Sequence, residues 1–250
     1  MFLCQKCDSQ FAKWSGRCLE CQAWGTVIET DGATAPAMRP NLHVAPAQGV
    51  RLVEIATESH TRTSTGNTEV DRVLGGGVVP GSLLLLSGEP GIGKSTLVAS
   101  IATCMGGDAA AHTVLYVSGE ESAAQLSGRF ARLNQPFSHV IYLEASPVET
   151  LAATIAKEQP ALVIIDSIQT IPSSEIEGAV GGSPTLLRYV TNILLQCAKR
   201  TGVSILLIGQ VTKEGSIAGP KTLEHLVDAV LSLEGDPMHA FRVLRATKNR

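Results

Sequence analysis

The sequence predicts an α/β protein: a mostly parallel sheet flanked by helices, a C-terminal antiparallel hairpin, and a small four-cysteine zinc module in front. Three observations carry this. From about residue 51 onward, short and nearly continuous apolar runs alternate with helix-length segments. Continuous apolar strands joined by helical crossovers belong to a parallel sheet covered on both faces. Residues 87–96 read SGEPGIGKST, a phosphate-loop pattern between a strand and a helix. Residues 1–28 hold two Cys-x2-Cys pairs.

The elements follow in chain order. Cys4, Cys7, Cys18 and Cys21 form two pairs ten residues apart. Each pair presents two thiolates from a tight turn, and two turns close a tetrahedral Zn²⁺ site. With four thiolate ligands no position remains for a catalytic water, so the zinc is structural. A module this short cannot bury enough core to fold alone, and metal binding supplies the missing stability. Trp14 and Trp24 flank the second pair; they could stack on a base, but the commoner role is packing over the knuckle. Residues 29–50 are rich in Ala and Pro without periodicity and read as a semi-extended linker. The core domain then spans 51–250. Cys104 and Cys197 fall in helix-like apolar stretches and read as core cysteines.

The expected strands are 83–88, 114–120, 139–145, 161–166 and 204–209, and residues 229–246 read as two strands around a Gly-Asp-Pro turn. The phosphate loop comprises Gly88, Glu89, Pro90, Gly91, Ile92, Gly93, Lys94, Ser95 and Thr96. Its glycines let backbone N–H groups turn inward toward phosphate oxygens, and the following helix adds its positive end. Lys94 would reach the β- and γ-phosphates of ATP, and the Ser95 hydroxyl would ligate Mg²⁺. Asp166 ends an apolar strand, where open α/β sheets bind ligands, and is expected in the Mg²⁺ shell. Glu120 and Glu121 end another strand. One of them orients the attacking water, Glu120 by preference, and the other is a solvated turn residue. Gln210 ends a further strand, where its amide either contacts the γ-phosphate or pairs with local backbone.

Composition narrows the rest. The chain has 250 residues and a net charge of −3, so any nucleic-acid-binding surface must be local. Aromatics make up 4%, which gives little support to a reader built on base stacking. No apolar run approaches the roughly 20 residues that cross a bilayer, and the N-terminus lacks a signal-peptide pattern. A cytoplasmic protein without a membrane partner is the expectation.

Several stretches are distinctive: TGNTEVDRVLGGGVVPGSLLLLSGEPGIGKSTL (65–97), IIDSIQT (164–170), VTKEGSIAGPKTLEHLVDAVLSLEGD (211–236) and the closing KNR. With the cysteine pairs, they resemble the bacterial RadA (Sms) family of recombination and repair proteins, relatives of RecA. The resemblance runs through nearly the whole chain and is weakest in the linker. It implies a RecA-like ATPase core working as a homo-oligomeric ring on single-stranded and branched DNA, beside other recombination proteins such as a RecA-type recombinase. It implies DNA-dependent ATP hydrolysis that extends or migrates branches. The last three residues match the start of the family's Lys-Asn-Arg-Phe-Gly motif, so the chain is expected to be a fragment that stops before a Lon-protease-like domain. Within that motif Lys248 and Arg250 would enter a neighbouring subunit's nucleotide site and stabilise charge on the γ-phosphate. The family usually carries His at the position of Gln210; glutamine there implies retained ATPase activity with altered coupling.

In RecA-like rings two mobile loops line the channel. Here they are 171–188, with Arg188, and 211–225, with Lys213 and Lys221, as candidate DNA contacts. Two other functions compete. One is a RecA-fold, KaiC-like switch that organises protein partners through ATP without moving on DNA. The other is a small-molecule P-loop kinase, against which the zinc module and the KNR tip speak.

Overall fold

The computed structural model describes residues 2–5, 10–11, 13–29, 61–105, 113–176, 183–210, 223–235 and 241–249. It divides into two units, Met1–Thr57 and Glu58–Arg250. The first holds an antiparallel sheet in which β1 (Phe2–Cys4) lies between β2 (Gln10–Phe11) and β3 (Val27–Glu29). Its buried apolar core is Cys4, Cys18 and Val27, with Phe2, Phe11 and Cys21 partly buried around them.

The second unit is built on a seven-stranded sheet. Its strands are β4 (Leu83–Gly88), β5 (Val114–Ser118), β6 (Val140–Glu144), β7 (Leu162–Asp166), β8 (Ser204–Gln210), β9 (Ala229–Gly235) and β10 (Arg242–Asn249). They lie in the order β10-β9-β4-β8-β7-β5-β6, with only β10 antiparallel to its neighbour. The expected mostly parallel sheet with a C-terminal hairpin is therefore the observed one. One detail differs: β9 runs parallel to β4, so the hairpin's first strand extends the parallel sheet inward and only β10 forms the edge.

Side-chain alternation explains why the runs are apolar throughout. Leu83 and Leu85 face a core shared with α4 (Val148–Glu158) and α5 (Pro184–Thr201). Leu84 and Leu86 face the opposite core, shared with α1 (Thr68–Leu74), α2 (Lys94–Met105) and α3 (Ala123–Ala131). Local signals set the helix ends. Asn67 accepts from the backbone of Glu69 and Val70 at the start of α1, Ser122 and Gln125 form a capping box on α3, and Gly202 takes the left-handed conformation after α5. No helix among the described residues is long and apolar enough to cross a membrane.

Candidate nucleotide and metal sites

The sheet order brings the chemistry together. Gly88 is in register with Gln210, and Asp166 with both Ser118 and Ile208, so four strands end on one rim. Between them and the start of α2 lies a cleft of about 290 Å³ lined by Pro90, Gly91, Gly93, Lys94, Ser95 and Thr96, and by Glu120, Arg129, Asp166, Ile208 and Gln210.

Gly91 and Gly93 curl the loop through φ angles of 78° and 108°, which L side chains rarely adopt. Lys94 is buried, and its ammonium donates to the carbonyl oxygens of Gly88 (2.8 Å) and Glu89 (2.9 Å). Burial pushes its pKa below the usual lysine value, against the opposing pull of the Asp166 and Glu120 charges. The Asp166 carboxylate is buried and accepts from the Tyr116 hydroxyl at Oδ2, 2.9 Å away. Tyr116 is itself fully buried, and that burial, with the neighbouring carboxylate, raises its pKa well above the ordinary phenol value. It is therefore a fixed proton donor that turns Asp166. Among the described residues, Oδ1 of Asp166 makes no hydrogen bond. An oxygen of a largely buried carboxylate, open to the same cleft as the Ser95 hydroxyl, fits a hard cation that takes oxygen ligands. Ser95 and Asp166 are thus the residues that would hold Mg²⁺.

The two glutamates separate. Glu120 reaches into the cleft, accepting from Ser167 Oγ at 2.6 Å and from Gln210 Nε2 at 3.1 Å on each carboxylate oxygen. Glu121, expected to alternate with it or be solvated, is neither: it pairs with Arg129 at 2.6 Å, both side chains being about three-quarters buried. Its backbone is held as well, the N–H by Ser118 Oγ and the carbonyl by the Tyr142 hydroxyl. α3 folds back over the strand end and supplies the partner, which the sequence did not announce. Gln169 Nε2 donates to the Gln210 carbonyl at 3.4 Å.

Lys248 lies on β10 opposite Val230, its ammonium donating to the carbonyls of Glu224 (2.8 Å) and His225 (3.4 Å). The end of β10 that adjoins the phosphate loop is Arg242, six residues away, or about 20 Å at strand rise. Lys248 is thus remote from the loop of its own chain. Arg188 is exposed on the second turn of α5. Arg250, Lys213 and Lys221 lie outside the described residues, as does Cys7. The sequence reading missed Tyr116, Arg129, Ser167 and Arg242. Only Ser167, directly after Asp166, sat where a local signal could have drawn attention.

In the N-terminal unit the sulfurs of Cys4, Cys18 and Cys21 all lie within 4.8 Å of one another, those of Cys4 and Cys21 at 3.7 Å. Zn–S bonds of about 2.3 Å at tetrahedral angles place sulfurs about 3.8 Å apart. The Cys21 N–H also donates to Cys18 Sγ at 3.5 Å. The geometry fits zinc, with Cys7 the expected fourth ligand. Trp14 and Trp24 are 63% and 75% exposed, yet both rings lie against Gly16, just before the second cysteine pair, and Trp14 Nε1 donates to the Val27 carbonyl at 3.1 Å. One expectation fails. Cys104 is exposed near the end of α2, whereas Cys197 is buried as expected.

A nucleotide-binding P-loop domain of the α/β class, joined to a cysteine metal ribbon, is what fold and sites define. An AAA domain family model matches residues 51–216, and a rubredoxin metal binding domain matches residues 2–29. All of this chain aligns with DNA repair protein RadA of Mycobacterium tuberculosis at 47% identity over 252 residues, of Bacillus subtilis at 44% over 255, and of Pseudomonas aeruginosa at 42% over 252. The chain belongs to the RadA family. It spans about half the length of these curated relatives: 52%, 55% and 55% respectively.

Proposed function

We propose that this chain carries the ATP-hydrolysing core of a DNA-dependent motor that acts in recombination and repair. The observation that supports it best is the meeting of Lys94, Ser95, Asp166, Glu120 and Gln210 in one cleft. The domain organisation that goes with this reading is a zinc module at 1–28, a linker at 29–50 and the ATPase core at 51–250.

In this reading the Lys94 ammonium leaves the Gly88 and Glu89 carbonyls for β- and γ-phosphate oxygens. Mg²⁺ held by Ser95 and Asp166 would neutralise charge on the transferring phosphoryl group. Glu120 aligns the water, and Ser167 holds that carboxylate in place. Gln210 bridges both Glu120 oxygens, and Oε2 keeps a lone pair for the water. With a γ-phosphate in the cleft, the Gln210 amide would exchange one of these bonds for a phosphate oxygen. Gln210 opens segment 211–222, so the exchange would transmit nucleotide state to a candidate DNA loop. Glu120→Gln is expected to keep ATP binding and lower turnover by about a hundredfold or more, measured as phosphate release.

Lys248, remote from its own loop, and Arg250 would serve a neighbouring subunit in a ring, with Arg188, Lys213 and Lys221 toward DNA. The test is ATP turnover with and without single-stranded DNA, in parent and Lys248→Ala protein. Strong stimulation of the parent, and loss of turnover with ATP binding kept in the variant, support the motor. Partial recovery on mixing Lys248→Ala with Lys94→Ala supports action between subunits. Turnover indifferent to DNA, with nucleotide-dependent capture of a protein partner, would replace the motor by the switch.

A further inference from the structure

The hairpin β9–β10 is seated beside the phosphate loop at three successive points. A Cβ on Gly88 would meet the Leu233 carbonyl oxygen at 2.5 Å, and one on Gly235 would meet Ile92 Cδ1 at 3.0 Å. A Cβ on Gly93 would lie 3.6 Å from each of Cζ, Nε and Nη1 of Arg242. Three atoms of one planar group equidistant from one point mean that the guanidinium plane faces Gly93. Antiparallel register explains its position: Arg242 pairs with Gly235 at the open end of the hairpin, level with the loop.

We infer that Arg242 is a nucleotide-binding residue of its own chain, contacting the α- and β-phosphates of the nucleotide cradled by Gly88–Thr96. Its guanidinium is exposed, and among the described residues it has no hydrogen-bond or ion-pair partner. Arg245, three residues on, is 3.5 Å from Glu234, and Arg129 is paired with Glu121. Arg242 thus combines an unspent cation with a fixed place against a loop whose chemistry is anion binding. A guanidinium offers five donors in one plane, and a plane stacked on the loop directs them along its surface, where oxygens of a bound polyphosphate lie. Lys94, Glu120, Asp166 and Gln210 line the cleft together with Pro90, Gly91, Gly93, Ser95 and Thr96, and Arg242 is not among its walls, so it meets the nucleotide from beside the loop and not from the side of Glu120 and Asp166. The part of the nucleotide left to it is the part that ATP and ADP share. Arg242 therefore strengthens binding of both and leaves the chemical step alone, which separates it from Lys248 and Arg250.

This inference rests on the nucleotide reading of the loop, and the experiment separates the two. Binding of a fluorescent ADP and of ATP is measured on the full chain as parent, Arg242→Ala, Arg242→Lys and Lys94→Ala, with turnover at saturating ATP. Arg242→Ala is expected to weaken both nucleotides about tenfold, with turnover at saturation within about twofold of the parent. Arg242→Lys falls between, keeping the charge but losing the planar stack. Melting temperatures stay level, because the side chain is exposed and, among the described residues, has no hydrogen-bond or ion-pair partner. Parent-like ADP affinity in Arg242→Ala, or reduced turnover with affinity intact, overturns the assignment. Should Lys94→Ala also bind as the parent does, the nucleotide reading itself falls.

Discussion

Lys94→Ala will lower ATP turnover by at least about a hundredfold, the scale seen when one preorganised charge is taken from a transition state. Among the described residues, the ammonium is the one cation in the cleft walls not paired with a carboxylate, since Arg129 is committed to Glu121. Without it, Asp166 and Glu120 face incoming phosphates with no fixed positive charge between them. The Gly88 and Glu89 carbonyls also lose their donor, so the loop's resting shape is weakened. Lys94→Arg will not rescue, because the wider planar fork cannot occupy the space of a buried point charge that touches two neighbouring carbonyls. Phosphate release under saturating ATP measures the effect, and a melting curve checks that α2 still folds; alanine is the best helix former at that position. Turnover within about threefold of the parent would remove Lys94 from the mechanism.

The second large effect concerns the metal ribbon. Cys4→Ser will release zinc and unfold the N-terminal unit. Structural zinc contributes an apparent ~10–16 kcal/mol in small metal-folded units at neutral pH. Against that, the unit's described core is one valine and two cysteines, with three partly buried neighbours. Serine cannot supply a thiolate, and Cys4 is completely buried at the end of β1, so no water replaces the ligand cheaply. Metal content per chain, read by atomic absorption, should fall from about one zinc to near none. The core's melting transition and its DNA-independent ATP turnover should persist, since the seven-stranded sheet and its helices lie within residues 68–249. Zinc retained at parent affinity in Cys4→Ser would mean that the four-thiolate assignment is wrong.

Much of this was legible before any coordinates. The strand 83–88 was readable because a strand buried on both faces is apolar at every position, and Leu83–Leu86 show that without a break. The phosphate loop was readable because its glycines, lysine and serine act as neighbours along the chain. The cysteine pairs were readable for the same reason: a knuckle is a local turn. The exposure of Trp14 and Trp24 was not, since their flanking sequence is equally compatible with burial. Glu120 and Glu121 are adjacent and chemically alike; they part only because Arg129, eight residues on and returned by α3, takes Glu121.

By itself, then, the sequence determined the α/β class, the phosphate loop, the metal ribbon and the strand-end position of Asp166, all of which depend on periodicity or short spacing. Tertiary structure alone decided the rest. Strand order carries Gln210 onto Glu120 across 90 residues, and Tyr116 onto Asp166 across 50. Hairpin register lays Arg242 on Gly93. Such pairings are set by which strands neighbour each other and by the alternation of faces along them, and no local stretch of chain records either.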